Sequence, residues 1–133
     1  MTNVRTLRLE RGQDVIAGLC EYLKDKPWNA ALIVSGIGSV SSATIGNPMT
    51  HDLPPKMYLS KIDEPAEVLA FTGEIIRKEN APDDFPAHTK EYPSEYAIHI
   101  HIAIAHSKGT VTGGGFRDAR VMRALNIYMV ELD

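Results

Sequence analysis

Cysteine is nearly missing: Cys20 is the only one in 133 residues. One thiol closes no intramolecular disulfide and supplies no repeated thiolates for a Cys-type zinc or iron–sulfur site. Any metal is therefore left to histidines and carboxylates, and the chain reads as one made for a reducing compartment. Excess charge of one sign is also lacking. Against 17 Asp and Glu stand 14 Lys and Arg, a formal net charge of −3, so no domain-wide positive field draws the chain to nucleic acid or anionic lipid. No apolar run approaches the roughly 20 residues that span a bilayer, and the opening residues have no continuous apolar stretch of the signal-peptide kind. The expectation is a cytoplasmic protein without a membrane partner.

Several motifs are absent as well. Gly36-Ile-Gly38-Ser-Val-Ser41 lacks the third glycine of a dinucleotide fingerprint, and the chain has no Gly-Lys-Ser/Thr, so no nucleotide cofactor is expected. No Gly-x-Ser-x-Gly elbow occurs, and no Ser or Cys nucleophile is paired with a base by spacing.

What is present is enough apolar material, 44% of residues, for the core of one domain covering residues 1–133. Val4 to Leu9 alternates as a half-buried strand. Across residues 13–26 Val15, Ile16, Leu19, Cys20 and Leu23 form one stripe of a 3.6-residue period, with Asp14 near the helix start and Pro27 at its end. Ala30 to Val34 reads as a buried strand entering a tight glycine turn at residues 35–39, with a return strand through Ala43 to Ile45. Seven of the eight prolines lie in residues 47–65 and 82–93, which predicts loops or edge strands. Between them, Val68 to Ile76 is a strand whose Gly73 marks a bulge or a close backbone approach. The last third reads as three strands: Tyr96 to His106, Gly109 to Thr112 and Val121 to Leu132.

The chemistry concentrates in residues 98–106. Ile98, Ile100, Ile102 and Ile104 share one face, and His99, His101, Ala103 and Ala105 share the other. Two imidazoles about 6.5 Å apart along a strand can converge on one ion about 2.0 to 2.1 Å from each nitrogen. A third ligand has to come from elsewhere, and His88 is the first candidate. The alternative stands beside it: His next to Ala also suits a wet surface or a subunit contact. His106, in the Ile register at the strand end, and His51, in a proline-rich loop, read as polar punctuation. Gly113-Gly114-Gly115 suits a turn or the approach of a backbone or ligand. Arg117, Arg120 and Arg123 form a basic stripe if that stretch is helical, and Arg117 is the anion contact if it is a strand. Gly113, Gly114 and Arg117 are thus the candidate binding residues for a small anionic ligand.

Four segments in this order resemble the plant- and prokaryote-conserved (PPC) domain. They are the opening strand and Gly12 turn into the helix, Ile33-Val-Ser-Gly-Ile-Gly-Ser39 with Ala43-Thr-Ile-Gly46, Glu67-Val-Leu-Ala-Phe-Thr-Gly73, and His99-Ile-His101 followed by Gly109 and Gly113-Gly114. The resemblance implies an α+β fold: a curved, largely antiparallel β-sheet with one main helix packed on it and a second short helix, assembled as a homotrimer. It implies a zinc site in which the His-x-His pair is joined by a histidine directly after the two glycines. Here that position is Gly115, so either metal is lost, or His88 replaces the ligand, or water completes the site. The family label is DNA-binding, although this chain has no AT-hook and a net charge of −3. The first reading is a homotrimeric binding protein, DNA-binding or regulatory and ligand-sensing. The rival is a metal-dependent enzyme acting on a small anionic substrate at His99 and His101, with Glu67, Glu74 or Glu95 as base. A third makes the histidines part of a structural subunit interface.

Overall fold

The computed structural model describes residues 3–133. Strand β1 (Val4–Glu10) leads through Gly12 into helix α1 (Val15–Leu23). Strands β2 (Ala30–Pro48), β3 (Met57–Ile62) and β4 (Ala66–Arg77) follow, then two 3-10 turns, and finally β5 (Tyr96–Ala105) and β6 (Val111–Leu132). The second short helix of the expected fold takes the form of these turns, Lys78–Asn80 and Ala87–Lys90.

All strand pairs are antiparallel, in the order β1-β6-β5-β4-β2-β3, and β6 also pairs with β2. The four strands β6, β5, β4 and β2 therefore close on themselves, leaving β1 and β3 as flanking strands. That closure is the physical content of the expected curvature.

Asp14 caps α1 by accepting from the Ala17 amide at 2.9 Å, satisfying one orphan donor of the first turn. The five stripe residues of the helix are all buried, and the sheet covers them. On β5 the four isoleucines are buried while His99 and His101 face outward, as the period of 2 requires. Phe71 and Phe116 meet edge to face in the core, centroids 5.6 Å apart. The single proton of the buried Tyr96 hydroxyl is shared between the carbonyls of Lys26 and Trp28 at 2.9 and 2.8 Å, fixing the chain between α1 and β2.

Two expectations are corrected. Residues 35–39 do not reverse the chain: β2 runs through them as one 19-residue strand. Its register against β6 shifts between Ile33 and Ser35 and again between Gly38 and Val40, so small residues here bend the strand and admit neighbours. Likewise Gly113–Gly115 is not a turn, since β6 is one strand of 22 residues, and the helical stripe of Arg117, Arg120 and Arg123 does not form. The proline-rich segment 47–65 contains β3, a flanking strand, within the predicted alternatives. At Gly73 the close approach is the outcome, because an added Cβ would lie 2.6 Å from the His99 carbonyl; the bulge sits at Val68/Ala70 instead.

Candidate metal centre

The site is built on the outer face of the closed sheet, where β5 lies between β4 and β6. Because directly opposed residues of an antiparallel pair share a face, the register decides what surrounds the histidines. His99 faces Glu74 and His101 faces Thr72 on β4. On the β6 side, His101 faces Gly115. His99 and His101 have ring centroids 5.2 Å apart with planes at 89°, and neither ring makes a hydrogen bond among the described residues. Together with Leu32, Thr72, Gly73 and Glu74 they line an open cleft of about 170 Å³.

His99 is half-buried, and burial lowers its pKa; the neighbouring His101 lowers it further, while Glu74 raises it. A neutral imidazole is the form that ligates metal. Phe85, from the second proline-rich segment, packs edgewise on the His99 ring with centroids 5.3 Å apart.

His88 lies near enough to this centre for its charge to interact with that of His99, but it is not gathered with the pair into a set of three. Its Nε2 is buried without a partner, and its pKa is lowered to about 4 by burial first, then by Arg117 and His99, against a backbone hydrogen bond at Phe116. Among the described residues no group of three or more His, Cys, Asp or Glu side chains is arranged to hold a metal ion. The donor set fits a metal only in part: two imidazoles are in place, and His88 is not gathered with them.

The low pKa of His88 gives a prediction for stability. The unfolded chain takes up a proton near pH 6.5, whereas the folded chain does so only near pH 4. Unfolded molecules therefore bind more protons in that window, and stability falls as pH drops from about 6.5 to 4. Allowing for solvent around a half-buried ring, the loss is about 1–2 kcal/mol. Urea unfolding at pH 7.5 and 4.5 is expected to show this extra loss in the wild type and not in His88→Asn.

Arg117 lies against Gly46, where an added Cβ would come within 3.1 Å of both Nε and Nη2. Its Nε is buried without an acceptor, and it pairs with no carboxylate among the described residues. Its carbonyl accepts from the Tyr92 hydroxyl at 2.8 Å, and burial pushes that phenol up to about 12. Gly113 and Gly114 are occupied differently from expectation. Asn47 donates to the Gly113 carbonyl at 2.8 Å, and its side-chain carbon would sit 2.6 Å from a Cβ at Gly114, so the space there is taken by a protein amide. Arg120 is bonded to the Gly12 carbonyl at 2.7 Å.

Of the three candidate bases, only Glu74 lines the cleft. Glu67 opposes Ala105 towards the other end of β4, and Glu95 pairs with Arg77. His106 bridges Glu64 and Thr112, a polar clasp between the β3–β4 turn and β6, and His51 is exposed in its loop. Thr72, Phe85 and Leu32 belong to the centre although sequence reasoning did not single them out. For Thr72 and Glu74 the signal was available in the alternation of Phe71-Thr-Gly-Glu-Ile75, which puts both opposite the core face.

Comparison with known proteins bears on this geometry. The family model of the Plants and Prokaryotes Conserved (PCC) domain matches residues 1–133. Bifunctional protein GlmU of a Synechococcus strain is 30% identical over 115 residues, 86% of this chain; the chain spans only 14% of that protein's length. A metal-containing protein from Archaeoglobus fulgidus superimposes with a TM-score of 0.76 at 28% identity, covering 98% of this chain and 80% of that one. A candidate DNA-binding protein from Bacteroides thetaiotaomicron has a TM-score of 0.72 at 19% identity, over 98% of this chain and 79% of its own.

Proposed function

We propose that this chain, which belongs to the Plants and Prokaryotes Conserved (PCC) domain family, is a small homotrimeric binding protein of the ligand-sensing kind that takes a metal ion at His99 and His101. One observation carries the reading: two outward imidazoles with centroids 5.2 Å apart line an open cleft without protein hydrogen-bond partners. Histidines placed only to satisfy a polar surface or brace a strand would not require this convergence. The similarity to the metal-containing Archaeoglobus protein supports it. Zinc is the ion the donor types favour, with imidazole nitrogen as a ligand it commonly takes. Arg117, whose guanidinium lacks a carboxylate partner among the described residues, supplies the positive charge for a small anionic ligand. A domain that corresponds to a minor part of a larger bifunctional protein also suits a binding module.

The homotrimer has its own support. Leu32, Val34, Ile37 and Leu69 are exposed on β2 and β4, Ile37 to 63%, and an outward apolar surface beside a site is what subunit contact covers. Sedimentation equilibrium is expected to give three times the chain mass; a monomer would remove the assembly from the reading.

The metal is tested by elemental analysis of untagged protein purified without chelator, beside a His99→Ala/His101→Ala variant. About one zinc per chain in the wild type, lost in a variant that keeps its far-ultraviolet dichroism, is the expected result. No zinc in wild-type protein supplied with the ion would sink the reading. DNA binding rests on how the Bacteroides protein and a further structural neighbour are described, and a net charge of −3 supplies little counterion release.

A further inference from the structure

We propose that Glu74 is the third protein ligand of the His99–His101 centre, an inference that rests on the metal reading above. Strand β5 has two neighbours in the sheet, and each histidine can be completed only from what they place on the same face. On β6 the residue opposite His101 is Gly115, which has no side chain to offer, and the β5–β6 ladder does not extend to His99. On β4 the residue opposite His101 is Thr72, and the residue opposite His99 is Glu74. Among the described residues, Glu74 is therefore the only carboxylate or imidazole directly across from either histidine.

Opposed residues have Cβ atoms about 4.5–5.5 Å apart, so a carboxylate on a two-carbon stem can reach across its partner's imidazole. Glu74 lines the same cleft as both rings. It is exposed and its carboxylate makes no hydrogen bond or ion pair among the described residues, so nothing but its own rotamer holds that group where it is. The three groups are not gathered about one point, and the exposed Glu74 is the side chain with freedom to turn towards the two rings. His88 has a buried Nε2 without a partner, but it belongs to the 3-10 turn Ala87–Lys90 and is not across the sheet from either histidine.

Two imidazoles and one carboxylate form a donor set for zinc or another divalent late first-row ion, and three protein ligands leave room for an exogenous group. Such a centre is of the open kind rather than the closed structural kind. The carboxylate also neutralises one of the two charges of the ion, which four neutral donors would not do.

The test uses full-length protein stripped with a chelator and titrated with zinc by calorimetry, with a parallel titration with cobalt(II) read by its visible absorption. Glu74→Gln keeps the shape of the side chain and removes the charged oxygen donor. Glu67→Gln, on the same strand but opposite Ala105 and outside the cleft, makes the same charge change away from the ion. Loss of affinity of at least about 100-fold is expected for Glu74→Gln, beyond the 10- to 100-fold typical of outer-shell changes, together with an altered cobalt spectrum. Glu67→Gln is expected to match the wild type in both. If Glu74→Gln binds zinc within about 3-fold of wild type while His99→Ala/His101→Ala has lost it, Glu74 is no ligand and the histidine reading stands. Equal weakening by both glutamine variants with an unchanged cobalt spectrum also overturns the proposal, as a general charge effect. Failure of the wild type to bind zinc overturns both readings together.

Discussion

Gly38→Ala is expected to cost more than about 4 kcal/mol and to lower the melting temperature by roughly 15 °C or prevent folding altogether. An added Cβ at Gly38 would lie 2.7 Å from the Leu125 Cα and 2.9 Å from the Ala124 carbonyl carbon, with the Ala124 oxygen closer still. All three obstacles are backbone, so no side chain can turn aside. Gly38 also has φ +156° and sits at the crossing where β2 pairs with both Leu125 of β6 and Val68 of β4. Relief therefore means separating strands of the closed ring. Gly109→Ala is the comparison: it has φ +85° but open space around it, and a backbone penalty alone costs about 1 kcal/mol. Thermal melts of the two variants separate steric closure of the ring from simple backbone preference.

Phe71→Ala comes second, with an expected loss of about 3–5 kcal/mol in urea unfolding. Phe71 is fully buried and fills the space between Gly36 on the neighbouring strand and Phe116 across the core. Truncation leaves a void that the ring of strands cannot collapse into, because closure fixes the spacing of its walls. Part of the loss is the edge-to-face contact with Phe116, worth about 0.5–1.5 kcal/mol. Phe71→Leu, which keeps most of the volume, is expected to lose less than half as much.

These two positions also explain which features of the fold were legible in the sequence. The stripe of α1 and the isoleucine register of β5 are local periodicities, and each could be read because the burying surface lies on one side of the element. The glycines of β2 could not be read in that way. Gly36 accommodates Phe71, and Gly38 accommodates the backbone at Ala124, far along the chain; a local reading takes such residues for a reversal. The same applies to Gly113–Gly115, which continue β6 beside Gly46 and Asn47. In the site, the His99–His101 pairing followed from the period of 2. Glu74 appeared only as one of three candidate carboxylates, because what distinguishes it from Glu67 and Glu95 is the β4–β5 register. His88 interacts with His99 through charge, but no sequence pattern shows that it sits in a 3-10 turn with its Nε2 buried and unpartnered.

The most direct test is diffraction at the zinc absorption edge from crystals of the full chain grown with stoichiometric zinc. The account predicts one anomalous peak per chain, with a ring nitrogen of His99 and of His101 each about 2.0–2.1 Å away. A peak at His88, His106 or the chain surface, or none in the cleft, would contradict it.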